Sequence, residues 1–314
     1  MPSLLWAQRV SVSTTPVARH GSLQVKGHQL VDRQGKPVVL KGMSFGWHNW
    51  WPRFYNEGAV RELVHNWKVT VLRAAMGIEP EKGYLKDPGE SVRLVRNVID
   101  ACVREGIYVI IDWHSHNIQE KEAVAFFEQM AKTYGHLPNV IYEIFNEPDK
   151  ESWPEVKAYS EAVIRGIRKY DPDNIILVGS PHWDQDLHLV AADPIKSFSN
   201  LMYSLHFYAA THKQGLRNRA ADALKTGLPV FVSECAGMEA TGDGPIDAVE
   251  WDKWMQLLGS WKISWVAWSV ADKKETCSVL QPSAPSDGGW QETDIKQWGH
   301  MVRQYLRTSM VKQQ

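Results

Sequence analysis

The feature that most constrains the fold is an alternation of short apolar segments with longer amphipathic ones, repeated along nearly the whole sequence. The short segments are rich in β-branched and aromatic residues, which favour strands buried on both faces of a parallel sheet. The longer segments place apolar residues at helical spacing, and glycine closes several of them. Strands are predicted over residues 38–44, 69–76, 107–113, 140–147, 174–179, 201–208, 229–234 and 264–268. Helices are predicted over residues 58–66, 91–105, 120–134, 153–170, 216–225, 247–258 and 294–307, with a short one near residue 187.

Eight strands with a helix after nearly every one predict an α/β fold of the (β/α)8 or TIM-barrel type. The 314 residues suit one such domain, and no stretch rich in Pro, Gly or Ser divides the sequence. A doubly wound sheet is the alternative, but it usually has fewer repeats and a Gly-rich loop after its first strand, which this sequence lacks.

The segment ahead of the barrel has its own pattern. Polar and apolar residues alternate from residue 21 to residue 32, a turn follows over residues 32–36, and the apolar pattern resumes, which predicts an N-terminal β-hairpin. Residues 1–20 have no clear period, and we interpret them as an N-terminal arm that is partly of cloning origin. The predicted organisation is therefore an arm over residues 1–20 and a single barrel domain over residues 21–314.

Composition narrows the range of ligands. The net charge of −1 argues against nucleic acid or an anionic membrane as the main partner, and no apolar run is long enough to span a bilayer. The three cysteines, Cys102, Cys235 and Cys277, do not have the spacing of a zinc site. They allow at most one disulfide, and a bridge between Cys235 and Cys277 is one of the pairings that the sequence leaves open. The 15 tryptophans exceed what a core requires, and their flat faces suit sugar rings, so we infer a carbohydrate ligand.

Chemically active side chains recur at the C-terminal ends of the predicted strands, where barrel enzymes carry their active sites. Asn146 and Glu147 end the fourth strand, and Pro148 stops its ladder. Glu234 ends the seventh strand, where a carboxylate is costly to bury unless it is paired or used. Each such residue alone could be structural, but their recurrence favours a site. The others are Arg73 in the second strand, Asp112 and His114 at the end of the third, His206 and Tyr208 at the end of the sixth, and Trp268 at the end of the eighth.

Two glutamates facing each other across a barrel mouth indicate glycoside hydrolysis, in which one protonates the leaving oxygen and the other attacks the anomeric carbon. Arg73 and Tyr208 are expected to keep Glu234 ionised. Asn146 is expected to bind a sugar 2-hydroxyl, and His114 and His206 to position the carboxylates. This chemistry requires neither a metal nor an organic cofactor.

These residues lie in motifs that resemble glycoside hydrolase family 5, the cellulase family, from about Gly21 to the last helix. Within that family the chain is most similar to bacterial endo-β-1,4-glucanases, through AATHK at 209–213 and ADKKE at 271–275. The family motifs are LKGMS at 40–44, LRAAM at 72–76, IIDWH at 110–114, IYEIFNEP at 141–148, LHFYA at 205–209 and VSE at 232–234.

The resemblance implies a retaining endo-β-1,4-glucanase with Glu147 as acid/base and Glu234 as nucleophile. The supporting residues that it implies are Arg73, His114, Asn146, His206 and Tyr208, and the substrate-binding residues are Trp50, Trp183, Trp268, Lys273 and Glu275. Activity on mannan, xyloglucan or mixed-linkage glucan at the same site remains open, as does a non-catalytic carbohydrate-binding barrel. We expect a monomer that acts on a β-glucan outside the cell, secreted or periplasmic, with its leader peptide absent from this chain.

The sequence departs from the family pattern at several positions near the site. Cys235 follows the expected nucleophile where an aromatic residue is usual, Gly46 falls where some relatives have His, and Gly77 falls where some have Tyr. The loop after the first strand is unusually rich in tryptophan. Trp47 or Trp51 is expected to replace a missing contact to the sugar.

Overall fold

Eight parallel strands close into a barrel in the computed structural model, which describes residues 15–308. The closed order, β10-β3-β4-β5-β6-β7-β8-β9, confirms the predicted TIM barrel and excludes the doubly wound sheet. The strands, in chain order, are β1 (Gln24–Lys26) and β2 (Gln29–Val31), which pair with each other, and the barrel strands β3 (Lys41–Phe45), β4 (Val71–Gly77), β5 (Tyr108–His114), β6 (Val140–Glu143), β7 (Ile176–Val178), β8 (Leu201–Tyr208), β9 (Val230–Ala236) and β10 (Trp265–Val270).

Helices surround the barrel, and side chains that suit helix ends define several of their limits. Asp87 accepts a hydrogen bond from the Glu90 backbone ahead of α3, and Gly106 ends that helix in a left-handed conformation. The helices are α1 (Pro16–His20), α2 (Glu57–Glu62), α3 (Pro88–Glu105), α4 (Glu120–Tyr134), α5 (Trp153–Arg168), α6 (Pro181–Asp184), α7 (Leu187–Ala192), α8 (Gln214–Lys225), α9 (Ala248–Trp261) and α10 (Gln297–Thr308). A π-helical turn, Leu63–Trp67, continues α2, and short 3₁₀ turns cover Pro52–Phe54 and Glu292–Asp294.

The N-terminal hairpin is present, but its turn is not where the sequence analysis placed it. Strands β1 and β2 pair antiparallel on either side of Gly27, whose φ of +60° favours glycine. The segment 32–36 is a second turn, in which the Asp32 side chain accepts hydrogen bonds from the backbone of Gln34 and Lys36, and it produces only a single bridge between Val31 and Pro37. The hydrogen bonds of the Asp32 side chain therefore form a separate turn after β2, whereas the turn of the hairpin itself lies at Gly27.

The described end of the predicted N-terminal arm is a short helix. Helix α1 begins after Thr15, whose hydroxyl accepts from the Ala18 backbone, and Pro16 occupies its first turn. Its Val17 backbone donates to the carbonyl of Gly106, which ties the segment to the end of α3. The rest of the predicted arm, residues 1–14, lies outside the described residues.

The interior of the barrel changes character from one end to the other. Apolar side chains near the strand starts, such as Val71, Ile110 and Phe231, form a buried cluster that the hairpin residues Leu23 and Leu30 join. Two residues further along three of these strands, with side chains on the same face, lie Arg73, Asp112 and Ser233. The strands therefore place an apolar core at the N-terminal end and polar chemistry at the C-terminal mouth.

Most tryptophans serve packing, which corrects the premise that their number exceeds what a core requires. Only Trp50 and Trp183 are strongly exposed among the residues that the structure describes. The buried tryptophans are Trp67, Trp113, Trp153, Trp251, Trp254, Trp265, Trp268, Trp290 and Trp298. Within residues 15–308, no helix combines the length and apolar character needed to cross a membrane.

Candidate active site

The fourth barrel strand, β6, ends earlier than predicted, and this places two functional residues in the following loop. Strand β6 stops at Glu143. The backbone beyond it forms hydrogen bonds with several different segments and not with one adjacent strand. The Asn146 backbone donates to the carbonyl of Trp113, and the Glu147 backbone donates to that of Ser115. Asn146 and Glu147 are thus fixed against the end of β5 at the mouth of the barrel.

An irregularity in β9 turns Glu234 into the barrel. Ser204 of β8 pairs with Phe231, but His206 pairs with Glu234, so β9 contains one residue more than β8 over this stretch. Such a bulge re-aims side chains. Ser233 and Glu234 consequently both reach groups of the interior, Ser233 through His206 and Glu234 through Arg73.

Arg73 lies at the centre of the polar interior and is completely buried. Its guanidinium contacts Asp112 at 3.0 Å, Glu143 at 2.6 Å and Glu234 at 2.9 Å, and donates to Oδ1 of Asn146 at 2.6 Å. Burial alone lowers the pKa of Arg73, but the three carboxylates raise it above its ordinary value. One cation therefore holds the strand ends β4, β5, β6 and β9 together.

Glu234 receives two donors in addition to its burial. Arg73 Nη1 donates to one carboxylate oxygen at 2.9 Å, and the Tyr208 hydroxyl donates to the other at 2.6 Å. Burial raises the pKa of Tyr208 well above its ordinary value, so the hydroxyl keeps its proton and remains a donor. Burial also raises the pKa of Glu234, and the charge of Glu147 adds to this rise, whereas His206, Arg73 and Tyr208 oppose it.

Glu147 lies between two imidazoles. His206 Nδ1 is 2.9 Å from its Oε1, and His116 Nδ1 is 3.6 Å from its Oε2. Burial raises the pKa of Glu147, but the hydrogen bond and charge of His206, together with smaller effects of His116 and Arg73, lower it below its ordinary value. The surroundings of Glu147 and Glu234 are therefore chemically different, and in the structure without substrate the pKa of Glu147 is the lowered one and that of Glu234 the raised one.

The two carboxylates lie close together. A carboxylate oxygen of Glu147, one of Glu234 and a ring nitrogen of His206 all lie within 4.8 Å of one another, which among the described residues is also the only group of metal-ligand composition. The hydrogen bond between His206 and Glu147 and the ion pair of Arg73 with Glu234 already use these residues, so we assign none of them as a metal ligand. Loss of a proton from either carboxylate raises the pKa of the other.

His114 and Trp268 form a wall beside the carboxylates. His114 Nδ1 is 2.6 Å from Asp112 Oδ2, and its ring stacks on Trp268 with centroids 5.3 Å apart and planes within 5°. Burial, with the charge of Arg73, lowers the pKa of His114 well below its ordinary value. His114 is therefore a neutral ring that donates from Nδ1 to Asp112.

Aromatic surfaces lie near the predicted site as well. Trp50, 53% exposed, stacks on Trp47 with ring centroids 4.7 Å apart. Trp47 in turn forms a T-shaped contact with His114, with ring centroids 4.3 Å apart. Trp183, 39% exposed, belongs to α6 and donates its backbone N–H to the carbonyl of Pro148, one residue beyond Glu147. A short series of residue contacts therefore links each of the two exposed tryptophans, Trp50 and Trp183, to the neighbourhood of the carboxylates.

Lys273 and Glu275 pair with each other at 2.5 Å. Glu275 also accepts a hydrogen bond from the Cys277 thiol at 3.2 Å, and Cys277 influences the pKa of Tyr208 and lies near the nucleophile candidate. All three cysteines are free and buried, so the bridge between Cys235 and Cys277 is not formed. Cys235 instead donates to the carbonyl of Val266.

The two glycines that depart from the family pattern make room for side chains of the loop after β3. A Cβ atom on Gly77 would collide with Oδ1 of Asn49 and would lie 2.7 Å from a ring carbon of Trp47, and one on Gly46 would lie 2.9 Å from a ring carbon of Trp51. Real Cβ atoms do not come this close to other atoms. Trp47 and Trp51 therefore fill the space that larger residues at positions 77 and 46 would need.

The sequence analysis missed three residues that contact the predicted site. Glu143 binds Arg73 and lies inside β6, where alternation along the strand could have placed it in the barrel. His116 belongs to a loop and Asp184 ends the irregular four-residue α6, so no periodicity indicates the direction of either side chain, and no sequence signal identifies them.

The chain is similar in sequence to proteins of one known family. A family model described as cellulase, glycosyl hydrolase family 5, matches residues 31–274. An endoglucanase of Clostridium saccharobutylicum is 38% identical over 293 residues, covering 91% of this chain and 65% of that protein. Endoglucanase Z of Dickeya dadantii is 41% identical over 268 residues, covering 83% of this chain and 62% of that protein. The chain thus spans less than two thirds of the length of either relative.

Solved structures are similar over nearly their full length. A Cytophaga hutchinsonii protein superposes with a TM-score of 0.92 at 45% identity, covering 94% of this chain and 97% of that one. The catalytic domain of Thermobifida fusca endoglucanase Cel5A superposes with a TM-score of 0.88 at 35% identity, covering 93% of this chain and 99% of that one. A variant of that domain was solved in complex with cellotetraose.

Proposed function

The chain belongs to the cellulase family, glycosyl hydrolase family 5, and on that premise we propose that it is a retaining endo-β-1,4-glucanase, which hydrolyses internal β-1,4-glucosidic bonds of cellulose and related β-glucans. The observation that carries this proposal is the approach of Glu147 and Glu234 carboxylate oxygens to within 4.8 Å. Retaining enzymes place their two carboxyl groups about 5–5.5 Å apart, whereas inverting enzymes leave about 6.5–9.5 Å for a water molecule.

In the first step, Glu147 transfers its proton to the glycosidic oxygen while an oxygen of the Glu234 carboxylate bonds to the anomeric carbon. The bond from that carbon to the leaving oxygen breaks, the leaving chain departs as an alcohol, and a glycosyl ester of Glu234 remains. The donors from Arg73 and Tyr208 stabilise Glu234 in the ionised form that this attack requires.

In the second step, the Glu147 carboxylate takes a proton from water while the water oxygen attacks the anomeric carbon. The ester bond breaks, Glu234 is released as a carboxylate, and Glu147 is protonated again. The anomeric configuration is inverted twice and therefore retained. His206, hydrogen-bonded to Glu147 at 2.9 Å, positions the carboxyl group in both steps.

Asn146 and the aromatic surfaces support a sugar ligand. Asn146 is completely buried, and its Nδ2 has no hydrogen-bond partner among residues 15–308, although Oδ1 accepts from Arg73. A buried donor without a partner is costly, and a sugar 2-hydroxyl would satisfy it. Trp50 and Trp183 are proposed to stack glucosyl rings on either side of the cut, with Trp268 beneath the reacting ring, and Lys273 and Glu275 to bind hydroxyls on the non-reducing side.

We further propose that residues 21–314 form a single catalytic domain, that the protein is a monomer, and that it acts as a secreted or periplasmic enzyme. Cellulose is a polymer outside the cell, so an enzyme that hydrolyses it internally must meet it there. The proposed partner is the β-glucan chain itself, with neither nucleic acid nor membrane involved in binding.

The first experiment measures reducing-sugar release from carboxymethylcellulose, barley β-glucan, xyloglucan and mannan. Release from the first two, lost in Glu147→Ala and kept in Glu128→Gln, is the expected result. Glu128 is the matched control because it lies on α4, where its carboxylate pairs with Lys169 at 2.5 Å. Release mainly from mannan or xyloglucan would overturn the substrate, and no release from any polymer would favour a carbohydrate-binding barrel.

A second experiment assigns the two glutamates by stereochemistry. An aryl β-cellobioside carries a leaving group that departs without a proton, so azide can replace the missing carboxylate. In Glu147→Ala, azide should attack the glycosyl-enzyme and give the β-azide. In Glu234→Ala, azide should attack in place of the nucleophile and give the α-azide. The opposite pair of products would exchange the two roles.

A further inference from the structure

Asp184 is a fully buried carboxylate for which the proposed reaction has no task. Its Oδ1 accepts a hydrogen bond from the Ser180 backbone at 2.5 Å. Its Oδ2 has no hydrogen bond within the described chain, but it lies 3.2 Å from Nε2 of His206. Burying an ionisable group is costly unless it is paired. The contact with His206 is therefore the feature of this residue that needs a reason.

An unusual backbone conformation places Asp184 in the interior. His182, Trp183 and Asp184 have φ values of +62°, +55° and +58°, three consecutive left-handed residues without glycine. Each costs roughly 1–2 kcal/mol relative to the right-handed conformation. The turn is held by hydrogen bonds from the Asp184 backbone to Ser180 and from the Asp186 backbone to Pro181. It leaves Trp183 exposed and buries Asp184 completely.

Asp184, His206 and Glu147 form a continuous chain of contacts. His206 presents Nε2 to Asp184 at 3.2 Å and Nδ1 to Glu147 at 2.9 Å. Because one hydrogen bond joins Nδ1 to the Glu147 carboxylate, the imidazole and the carboxylate share one transferable proton. Burial raises the pKa of Asp184 well above its ordinary value, and the charge of His206 and the Ser180 hydrogen bond oppose this rise, so the Asp184 anion depends on the protonated ring beside it. As an anion at the far side of the ring, Asp184 stabilises the shared proton whichever of the two groups carries it.

The other charges around the pair are offset in part by Arg73, and His116 faces the far oxygen of Glu147 at 3.6 Å. Glu143 lies 3.7 Å from Nε2, but Arg73 binds it at 2.6 Å, and the same guanidinium binds Glu234 and Asp112. Burial lowers the pKa values of His114 and, to about 4, of His212, so neither adds positive charge near neutral pH. Among the ion pairs of the described residues, Asp184 has His206 as its sole cationic partner. Ser233, at 3.0 Å from Nε2, adds an uncharged contact.

We propose that Asp184 is a positioning residue that holds the transferable proton on the His206–Glu147 pair and thereby sets the upper pH limit of the acid step; this rests on the proposed function. Burial by itself lowers the pKa of His206, but the carboxylates, Asp184 foremost, raise it well above its ordinary value, which agrees with the geometry. Removing the Asp184 charge weakens proton binding by both members of the pair, so the acid loses its proton at lower pH.

The test compares the pH dependence of kcat/KM on barley β-glucan in the wild type and Asp184→Asn. Asparagine keeps the shape and the Oδ1 acceptor for Ser180. The basic limb should move about one pH unit lower, while the rate on its acidic side is retained. Asp186→Asn is the matched control, because Asp186 lies two residues away and pairs with Arg219 at 2.7 Å. An unchanged limb, an equal shift in Asp186→Asn, or a uniform loss at every pH would overturn the proposal.

A measurement without turnover separates this proposal from the proposed function. In unliganded protein, the ¹⁵N shifts of His206 and the carboxyl ¹³C shift of Glu147 follow the proton of the pair, with His206→Gln for assignment. The pair should lose its proton at lower pH in Asp184→Asn than in the wild type. Equal titration in the two proteins would overturn the role of Asp184, even if the wild type hydrolyses β-glucan. A wild type without hydrolytic activity would contradict only the proposed function. If Asp184→Asn does not fold, the wild type alone tests the proposal. The pH at which the pair loses its proton in the NMR titration should then equal the pH of the basic limb of kcat/KM, and a clear difference between the two would overturn the proposal.

Discussion

At the scale of single residues, Arg73 supplies the positive charge that offsets part of the negative charge in the barrel interior. Its guanidinium contacts three carboxylates, and neither it nor Asp112 nor Glu143 is exposed. Such a cluster is stable only while the cation is present, because each carboxylate would otherwise be buried without a counter-charge. Arg73 is thus as important to the fold as to the geometry of Glu234.

Replacing Arg73 should therefore destabilise the protein strongly at neutral pH. We expect Arg73→Met to lose about 3–5 kcal/mol of unfolding free energy at pH 7, measured by urea denaturation. The loss should shrink as the pH falls, because protonation neutralises the unpaired carboxylates. Arg93→Met is the control, since Arg93 pairs with Glu90 in solvent, and it should change stability little. Equal losses in the two variants would contradict this account.

At the scale of elements, neutral histidines hold the loops that follow two strands. His48 Nδ1 accepts from the Gly77 backbone at 3.0 Å, and its Nε2 lies 2.8 Å from the Ser91 hydroxyl. Because that hydroxyl donates to the carbonyl of Asp87, it must accept from Nε2–H. His212 Nδ1 likewise accepts from the Tyr208 backbone at 2.9 Å. Both rings can make these bonds only while Nδ1 carries no proton.

These histidines should make stability depend on pH. Burial lowers the pKa of His48 from 6.5 to about 4, so between those values the unfolded chain binds a proton that the folded protein does not. The stabilisation is present above pH 6.5 and is lost as the pH falls towards 4, at up to about 1.4 kcal/mol per pH unit. His48→Gln should reduce this slope in urea unfolding, and the exposed His136→Gln is the control. An unchanged slope in His48→Gln would show that the ring binds its proton in the folded state.

The same elements show what could be predicted from the sequence and what could not. Strand β8 and helix α4 begin and end at the predicted residues, because the apolar pattern of a long segment indicates both the type of element and its limits. The bulge in β9 depends on its pairing with β8, and the left-handed turn at α6 is joined to Pro148 and His206 as well as to its own residues, so neither leaves a periodic pattern in the sequence. The sequence pattern therefore predicts polar residues on the barrel strands, such as Arg73 and Glu234, which the structure brings into contact, but it does not indicate Asp184.

The loop after β3 is a case in which a departure could be noticed but not interpreted from the sequence. Gly46 and Gly77 are far apart in the chain, and each makes room for a tryptophan of the loop between them. That relation needs the two strands side by side, as their backbones are in the barrel. The assumption that the tryptophans exceed what the core requires was wrong for a related reason, since their number does not indicate which of them are buried.

At the scale of the whole molecule, the two ends of the barrel have different tasks. The N-terminal end is closed by apolar side chains, to which the hairpin contributes Leu23 and Leu30. The C-terminal end carries the carboxylates and exposes Trp50 and Trp183. In barrels of this kind the loops after the strands vary chemistry while the opposite end maintains stability. Substitutions at the two ends should accordingly have separable effects.

Leu30→Ala and Trp183→Ala test this separation. Leu30 is 2% exposed, and its truncation should cost about 2–5 kcal/mol of unfolding free energy while kcat and KM on cello-oligosaccharides stay unchanged. Trp183 is 39% exposed, and its loss should raise KM roughly tenfold, equivalent to about 1.4 kcal/mol of binding, with little change in stability. Urea denaturation and steady-state kinetics on the same preparations measure both. If Leu30→Ala changed KM as much as Trp183→Ala does, the ends would be coupled, and the closed base of the barrel would have to be counted as part of the site.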